Sequence, residues 1–424
     1  MNVALRAGYE GAAFLARTLA ALAPANGSKL VETFAARRGA VARFESFARD
    51  SSRPLLWMHA PSVGEGLQAR PVLELTRERD PRTQMAYTYF SPSARSFAAR
   101  LPVDFCDVLP FDGSRDMRRI LAALAPTALV FSKLDVWPTL AREAARRRTR
   151  LGLISATLAE GSSRRSGFAR AILREAYARL DRVGAISAGD ADRLVALGVP
   201  VSRVSVTGDT RYDQVWARAR TVDRNAPIMR TLGDGRPTLV AGSTWPGDEA
   251  VLLPAWTRLR ARVPAARLII APHEPTMAHL AAIEQWGIGS GIRIARIGDP
   301  SAGTADVVLV DQVGILGDLY LLASVAFVGG GFHAAGLHSV LEPAAFGAPV
   351  LFGPQYGSSR DARLLLDDDA ALSVTDPERT LAVLDRWLGS ASDRRAAGDA
   401  ALRVVRRGLG AAERSYDLVR DLLT

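Results

Sequence analysis

The stretch FVGGGFHAAGLHSVLEPAAFGAPVLFGP, residues 327–354, places a polar centre between two apolar runs. The first run leads into three consecutive glycines, and the last run ends at a glycine and a proline. Such runs, bounded by turn residues, predict strands, whereas HSVLE at 338–342 predicts a helical segment. A glycine cluster after a strand lets the backbone turn sharply and approach a ligand closely. The stretch therefore predicts a strand, a glycine turn, a helix and a second strand.

The same alternation of apolar runs and helical segments fills most of the chain. It begins at about residue 54 and restarts after a polar stretch, 215–236, which contains a Gly-Asp-Gly turn typical of a connection between domains. Strands that alternate with helices form parallel βαβ units. We therefore predict an α/β fold with two doubly wound, Rossmann-like domains, 26–214 and 237–424, facing each other across a cleft. The last helix is expected to be able to pack back on the first of these domains.

The composition limits the function classes. The chain has 424 residues and a formal net charge of +10, and its only lysines are Lys29 and Lys133. The arginine excess reflects either genomic composition or attraction to an anionic partner such as phospholipid. Basic and aromatic residues do not interleave on one element, which argues against nucleic acid. A single cysteine, Cys106, excludes an intrachain disulfide and a cysteine zinc cluster, and no run reaches the ~18 apolar residues of a membrane span.

The first 25 residues predict an amphipathic helix. One face carries apolar residues at steps of three or four: Leu5, Tyr9, Ala12, Leu15, Leu19 and Leu22. Charged residues lie largely on another face: Arg6, Glu10 and Arg17. Two interpretations remain open. The helix packs on its own domain, or it lies in a membrane interface, where Arg37, Arg38 and Arg43 would face anionic headgroups.

Two loops of the first half carry acidic residues directly after predicted strands. In HAPSVGEG, residues 59–66, Glu65 falls in the first turn of a helix, where a carboxylate either suits the helix dipole or acts as a general base. In KLDVWP, residues 133–138, Asp135 precedes a helix that begins near Pro138 and is either a cap or a functional group.

Two loops of the second half carry the candidate phosphate-binding and metal-binding residues. GSTWPGDE, residues 242–249, follows a strand and is similar to a short phosphate cradle. In HSVLE, His338 and Glu342 are four residues apart, which puts them on one face of a helix. Such a pair can bind a metal, but no third ligand lies nearby in the sequence. Contacts to ribose hydroxyls and phosphate suit a carboxylate and an imidazole beside a glycine turn better, so we expect no metal.

Taken together, these loops resemble the motifs of the 3-deoxy-D-manno-octulosonic acid (Kdo) transferases. The matching segments, in order, are HAPSVGE at 59–65, KLDVWP at 133–138, GDTRYD at 208–213, GSTWPGDE at 242–249, PHEP at 272–275, GIL at 314–316 and HSVLEPAAFGAPVLFGP at 338–354. The resemblance covers nearly the whole chain. It implies an inverting glycosyltransferase of the two-domain GT-B architecture, which transfers Kdo from CMP-Kdo to a lipid A precursor in lipopolysaccharide synthesis. It also implies a location at the cytoplasmic face of the inner membrane and no cofactor.

The resemblance further implies roles for individual residues. Glu65 would remove the proton of the acceptor hydroxyl, with Asp135 and Arg211 as further catalytic residues. Residues 339–342 would lie against the ribose and phosphate of CMP. The full predicted donor-binding set is Ser243, Thr244, Pro272, His273, Gly314, Ile315, Leu316, His338, Ser339, Val340, Leu341 and Glu342.

The chain departs from the family pattern at several of these loops. Lys133 replaces the first acidic residue of its motif, Trp245 replaces a common histidine, PHEP differs from PRHP, Ile315 replaces a glutamate and Ser339 replaces an asparagine. Two other readings therefore stay open at this point. One is a related glycosyltransferase that uses another nucleotide sugar or acceptor, and the other is a binding protein that kept the fold without catalysis.

Overall fold

The computed structural model describes residues 3–22, 29–162, 164 and 167–424, which form two compact units. The first unit contains residues 1–214 and 409–424, and the second contains residues 215–408. Each unit is built on one parallel seven-stranded sheet. Both sheets combine with helices in the α/β order that the sequence predicts.

In the first unit the strands are β1 (Leu55–His59), β2 (Gln84–Tyr89), β3 (Phe105–Val108), β4 (Ala128–Ser132), β5 (Arg150–Ala156), β6 (Arg182–Ala185) and β7 (Val204–Val206). The helices are α1 (Val3–Leu22), α2 (Lys29–Ala35), α3 (Ala40–Glu45), α4 (Val63–Arg79), α5 (Arg95–Ala98), α6 (Ser114–Leu124), α7 (Pro138–Arg146), α8 (Gly167–Ala178) and α9 (Ala188–Leu197). The strand order is β3-β2-β1-β4-β5-β6-β7, an order typical of Rossmann-like sheets.

In the second unit the strands are β8 (Thr238–Thr244), β9 (Arg267–Pro272), β10 (Ile294–Arg296), β11 (Val307–Leu309), β12 (Val325–Val328), β13 (Val350–Phe352) and β14 (Ala371–Ser373). The helices that follow α9 in the chain, of which α19 belongs to the first unit, are α10 (Arg211–Thr221), α11 (Pro227–Leu232), α12 (Pro246–Arg262), α13 (Met277–Ser290), α14 (Leu316–Leu319), α15 (Leu341–Ala345), α16 (Arg360–Asp367), α17 (Pro377–Gly389), α18 (Ala391–Arg407) and α19 (Ala411–Leu423). The strand order is β10-β11-β9-β8-β12-β13-β14.

Each sheet is covered on both faces. Along β1, Leu55 and Trp57 join one hydrophobic core, and Leu56 and Met58 join another. Successive side chains of a strand point to opposite faces, so two cores mean two covered faces. Strands buried in this way lack the polar alternation of an exposed sheet, which explains why LLWMH and TLVAGST are almost entirely buried.

The stretch that was expected to connect the domains contains helical residues. Residues 215–236 contain the end of α10 and the whole of α11, and they belong to the second unit. After α18 the chain returns to the first unit as α19. Asp213 accepts hydrogen bonds from the backbone N–H groups of Gly410 and Ala412 at 2.7 and 2.9 Å, and these groups open α19.

Helix α1 packs on the first unit through the face that carries its polar side chains. The Tyr9 hydroxyl donates to Asp112 at 2.8 Å, and Glu10 accepts from the Ser114 backbone at 2.9 Å and pairs with Arg142 at 3.0 Å. The helix is therefore amphipathic in an unexpected sense, because its charged residues face protein. Its outer face is apolar, with three large exposed side chains: Phe14, Leu15 and Leu19.

Part of the predicted membrane-facing set was wrong. Tyr9 belongs to the contact with Asp112 rather than to an outward apolar stripe. Arg37 is only 6 % exposed, because its guanidinium stacks on Phe90 and donates to the Phe90 carbonyl. Arg43 is paired with Asp107. Leu22 keeps its place in α1, but its side chain lies outside the described residues. In the described part of the chain, no helix combines the length and apolar character of a membrane span.

Candidate active site

The predicted site residues gather where each sheet reverses its strand order. In the first sheet β1 lies between β2 and β4, and in the second β8 lies between β9 and β12. Ligands of doubly wound sheets bind beyond the carboxyl ends of the strands at such a reversal. The loop with Glu65 follows β1, and the loop with Asp135 follows β4. The loop at 242–249 follows β8, and the glycine turn at 329–331 follows β12.

Glu65 is a partly buried carboxylate in the first turn of α4. Its side chain is 16 % exposed, and Lys133 Nζ lies 3.1 Å from its Oε1 atom. The Ser62 hydroxyl donates a hydrogen bond to its other oxygen. Burial alone would raise the pKa of Glu65, but the Ser62 hydrogen bond and the Lys133 ammonium together hold that pKa below its ordinary value. The group is thus an ionised carboxylate that can accept a proton.

Lys133 reaches Glu65 from an unusual backbone conformation. The strand β4 ends at Ser132, and Lys133 has φ 69°, in the left-handed region that side chains rarely adopt. The Ser132 hydroxyl donates to the Glu65 carbonyl at 3.0 Å, so the end of β4 is fastened to the start of α4. The sequence predicted both loops, but it did not predict this contact.

Asp135 stands in a different electrostatic environment. It pairs with Arg164, yet its pKa is raised, first by burial and then by the negative charge of Glu65, against the opposing effects of Arg164 and Lys133. The two carboxylates therefore have pKa values shifted in opposite directions. Such divergence separates the group that accepts a proton from a group that more readily keeps one.

His59 was quoted in a motif but not assigned a role, and the structure shows it to be a buried support. It is fully buried, and its Nε2 atom accepts a hydrogen bond from Trp137 Nε1 at 2.8 Å. Its Nδ1 atom lies 2.9 Å from the Thr88 hydroxyl. Burial lowers the pKa of His59 to about 3, so it stays neutral. It fixes Trp137, the residue that precedes α7 and follows Asp135 by two positions.

Arg211 lies beside a buried carboxylate of its own motif. Its Nε and Nη2 atoms donate to Asp209 at 2.9 and 2.7 Å, and Gln68 donates to the same carboxylate at 3.2 Å. The Thr210 hydroxyl donates to the Gln68 carbonyl at 2.7 Å. Gln68 follows Glu65 by three residues on α4. The GDTR segment is therefore attached to the helix that carries the candidate base.

In the second unit, Asp248 ties the two predicted loops together. This fully buried carboxylate accepts backbone hydrogen bonds from Trp245 at 2.9 Å, Gly330 at 2.8 Å and Phe332 at 3.2 Å. Burial raises the pKa of Asp248, and these three donors oppose that shift. In the sequence analysis Asp248 was included only as part of the segment 242–249, and no role was predicted for it. Its burial could not be read from the motif.

The three glycines of the turn are required by close packing. Gly330 has φ 89°, and a Cβ atom on Gly329 would lie 2.1 Å from the Ser243 carbonyl oxygen. A Cβ atom on Gly331 would lie 2.3 Å from the backbone nitrogen of Gly353. Both distances are too short for any side chain. The turn is thus pressed against the ends of β8 and β13, and Ser243 itself is left-handed at φ 54°.

A stack of aromatic rings lies at the same end of the sheet. The Trp245 ring is parallel to His333, with centroids 4.0 Å apart, and it stacks on His273 at 4.7 Å. The indole N–H donates to Nε2 of His338 at 3.2 Å. Burial and the neighbouring imidazoles lower the pKa of His338 to about 4. His273 and His338, two predicted donor contacts, are therefore joined by the tryptophan that replaces the usual histidine.

Thr244, another predicted contact, uses its hydroxyl inside the protein. It is fully buried and donates to Glu249 at 2.7 Å. The ring of His279 contacts both oxygens of Glu249 at 2.9 Å. Pro272 ends β9 beside this group. Thr244 and Pro272 thus shape the loop rather than present free polar atoms.

The expectation that His338 and Glu342 share one helical face was wrong. Helix α15 begins at Leu341, so His338 and Ser339 lie in the preceding loop. Pro343 favours the late start, because a proline lacks an N–H, clashes with the carbonyl four residues earlier and is best accommodated in the first turn of a helix. Val340 occupies the N-cap position. Ser339 is exposed, which leaves its hydroxyl accessible.

Glu342 lies in the first turn of α15 near two charged residues. Burial raises the pKa of Glu342, Asp318 adds to that shift, and Arg218 opposes it. Arg218 Nε donates to Asp318 at 2.8 Å, and Arg218 Nη2 lies 3.4 Å from the Gly314 carbonyl. Arg218 was missed by sequence reasoning because it lies in a polar segment outside every motif.

The GIL segment forms the turn that leads into α14. Gly314 has φ 95°, and Ile315 is the N-cap residue before Leu316. Ile315 and Leu316 pack against a hydrophobic core rather than stand free. Among the described residues, no group of three or more histidine, cysteine or acidic side chains could hold a metal ion.

Two Rossmann-like domains in one chain, each with polar groups at its strand-order reversal, define the GT-B architecture. Residues 33–214 match the family described as 3-deoxy-D-manno-octulosonic-acid transferase. The curated transferase of that name from Bordetella pertussis is 31% identical over 91% of this chain and 92% of its own length. That from Haemophilus influenzae is 27% identical over 87% of each. The chain belongs to the 3-deoxy-D-manno-octulosonic acid transferase family.

A likeness to solved structures supports the fold alone. A UDP-GlcNAc 2-epimerase from Neisseria meningitidis superposes with a TM-score of 0.63, covers 87% of this chain and 99% of its own, and is 12% identical. A glycosyltransferase from Rickettsia africae superposes with a TM-score of 0.59 at 10% identity. Two Rossmann-like domains in one chain are common to these proteins, whatever their reaction.

Proposed function

We propose that this protein transfers Kdo from CMP-Kdo to a hydroxyl group of a lipid A precursor, with inversion, in lipopolysaccharide synthesis. The observation that carries the proposal is Glu65, a partly buried carboxylate held ionised at the strand-order reversal of the first sheet. Together with membership of the transferase family, this carboxylate supports a reaction that needs a base at the acceptor hydroxyl.

The chemistry is a single displacement. Glu65 accepts the proton of the acceptor hydroxyl while the acceptor oxygen bonds to the anomeric carbon of Kdo. The bond from that carbon to the phosphate oxygen breaks, and CMP departs with the electron pair. Attack opposite the leaving group inverts the configuration. A positioned base contributes roughly 10²–10⁴ to the rate.

The donor site is proposed at the second sheet. Among the described residues no hydrogen bond occupies the Glu342 carboxylate, which therefore suits the hydroxyls of a ribose. Arg218 supplies a positive charge nearby, and the exposed Ser339 and the backbone around Gly314 and Ile315 offer further polar contacts. Positive side chains stabilise a departing phosphate without a metal, so we propose that no metal is needed.

The acceptor and the membrane are proposed to meet the first unit. Phe14 and Leu15 are 62% and 60% exposed on the outer face of α1. Beside α1 lies a cavity of about 270 Å³ whose lining includes, besides the enclosed Arg37, the arginines Arg17, Arg38, Arg115 and Arg119. Apolar side chains next to arginines suit an anionic bilayer surface. We propose that the enzyme works there, on the cytoplasmic face of the inner membrane.

One experiment tests the reaction. The full-length protein is incubated with CMP-Kdo and a lipid A precursor, and the lipid is examined by mass spectrometry. We expect a mass increase of one or more Kdo residues and release of CMP. If the lipid gains no mass while CMP-Kdo still binds, the transferase assignment fails. Thermal shifts with other nucleotide sugars then distinguish a different donor from a non-catalytic binding protein.

A further inference from the structure

Four side chains of alternating charge meet between the end of β4 and the start of α4. Lys133 pairs with Glu65 at 3.1 Å, and Arg164 pairs with Asp135. Glu65 is 16% exposed and Lys133 is 43% exposed. The cation therefore borders solvent, whereas the carboxylate is mostly enclosed.

Lys133 contacts Glu65 from an unfavourable backbone conformation. The left-handed region is unfavourable for a residue with a side chain, and Lys133 occupies that region at φ 69°. Its N–H donates to the Ile154 carbonyl at 2.9 Å, which holds the conformation in place. Glycine and asparagine adopt this backbone conformation more readily than lysine does.

We propose that Lys133 is a positioning residue that keeps Glu65 ionised and oriented for proton removal. The inference rests on the proposed function of Glu65 and goes beyond it, because Lys133 is where this chain departs from the acidic residue of the family pattern. In the free protein the ammonium neutralises the carboxylate. When Glu65 takes the acceptor proton, its charge is lost and the ion pair with Lys133 is broken.

The other charged and titratable neighbours do not replace Lys133. Asp135, from the loop after β4, is negative and repels the charge of Glu65. His59, at the end of β1, stays neutral because burial lowers its pKa to about 3. Tyr87, on β2, is buried, and the Glu65 charge adds to the rise of its pKa. Lys133 is the cation that lowers the pKa of Glu65.

The test is the pH dependence of the Lys133→Met variant of the full-length protein. Without the ammonium, burial is opposed mainly by Ser62, and the pKa of Glu65 rises. Glu65 then becomes protonated at a higher pH. We expect kcat/KM to fall at the acidic end, by about tenfold for each unit by which the pKa rises, and to be retained at the alkaline end. A purely structural loss would lower the rate at every pH.

Three variants control the measurement. Lys133→Arg should restore the wild-type profile. Arg148→Met removes a positive charge from another left-handed, exposed position, at φ 60°, and should leave the profile unchanged. Glu65→Gln/Lys133→Met should be no slower than Glu65→Gln alone, since Lys133 acts through Glu65. An unshifted acid limb in Lys133→Met, or additive losses in the double variant, would overturn the proposal.

A readout without activity separates this inference from the proposed reaction. Glutamate labelled with ¹³C at the carboxyl carbon reports the titration of Glu65, and Glu65→Gln identifies the signal. In Lys133→Met this titration should move to higher pH than in the wild type, whichever sugar the enzyme transfers. An unchanged titration refutes the role of Lys133 even if transfer is observed.

Discussion

The two strand-order reversals are built from different interactions. At the first sheet, charged side chains face each other directly, as in the pair of Lys133 and Glu65. At the second sheet, the buried carboxylate of Asp248 accepts hydrogen bonds from backbone N–H groups, and Trp245 stacks on the imidazoles of His333 and His273 and donates a hydrogen bond to His338. The first arrangement can change protonation during a reaction. The second fixes backbone and rings through several hydrogen bonds and stacking contacts, which suits the binding of a ligand. We therefore expect proton transfer at the first sheet and donor binding at the second.

The largest expected effect is on the transfer rate, from a substitution at the first sheet alone. Glu65→Gln should lower transfer by roughly 10²–10⁴, the contribution of a positioned base, because the amide cannot accept the proton. CMP affinity, measured by calorimetry, should stay at the wild-type value. Near-normal turnover of this variant would remove Glu65 from the mechanism.

The next largest effect is on CMP affinity, from a substitution at the second sheet alone. Glu342→Ala should weaken CMP binding by about 1.5–3 kcal/mol, the usual worth of a hydrogen bond to a charged group. Glu378→Ala, which removes an exposed glutamate of α17, is the matched control and should bind CMP normally. Equal affinity of the two variants in calorimetry would move the nucleotide site elsewhere.

A smaller effect tests whether the first unit meets a bilayer. Leu15→Glu/Leu19→Glu should reduce sedimentation with anionic vesicles several-fold at low salt, because it places two charges on the apolar face of α1. These substitutions keep the contacts of Tyr9 and Glu10 that removal of residues 1–25 would destroy. Ile288→Glu, at a 73% exposed site of the second unit, is the control. Wild-type protein that ignores the vesicles at every salt concentration contradicts the membrane proposal.

The smallest expected effect is on the pKa of His338 in the ring stack. Trp245→Phe keeps an aromatic ring but removes the N–H that His338 Nε2 accepts. A donor to that nitrogen favours the neutral ring, so the pKa of His338 should rise from about 4 toward that of an ordinary histidine. Proton NMR of the imidazoles follows the titration. Between about pH 6.5 and 4 the histidine is protonated in the unfolded chain but neutral in the folded protein. The free energy of unfolding should therefore fall as the pH falls through this range. The fall should be smaller in Trp245→Phe, because its His338 has a higher pKa.

The sequence predicted the fold well because its signals are local. Short apolar runs flanked by turns located the strands β1, β4, β12 and β13, and the order of the motifs pointed to the family that the comparisons confirm. The start of α15 was missed, since the four-residue spacing of His338 and Glu342 outweighed the effect of Pro343. Proline chemistry was the available signal, and it was not used.

The site was less predictable because its decisive contacts join residues far apart in the chain. Nothing local shows that Asp248 reaches Gly330, that Arg218 lies near Glu342, or that Arg37 is enclosed by aromatic rings. The charged face of α1 shows the same limit. Periodicity separated its two faces correctly in outline, but only tertiary contacts decide which face meets protein.

The return of α19 to the first unit has a consequence for synthesis. Val419 and Leu422 belong to the core that covers one face of the first sheet, and a Cβ atom on Gly152 of β5 would clash with Leu422 at 2.6 Å. The ribosome therefore synthesises the whole second unit before the residues of α19 that complete this core. The first unit lacks this part of its core until α19 has been made, so a nascent chain arrested before residue 411 should be more sensitive to protease in that unit than the 424-residue chain is.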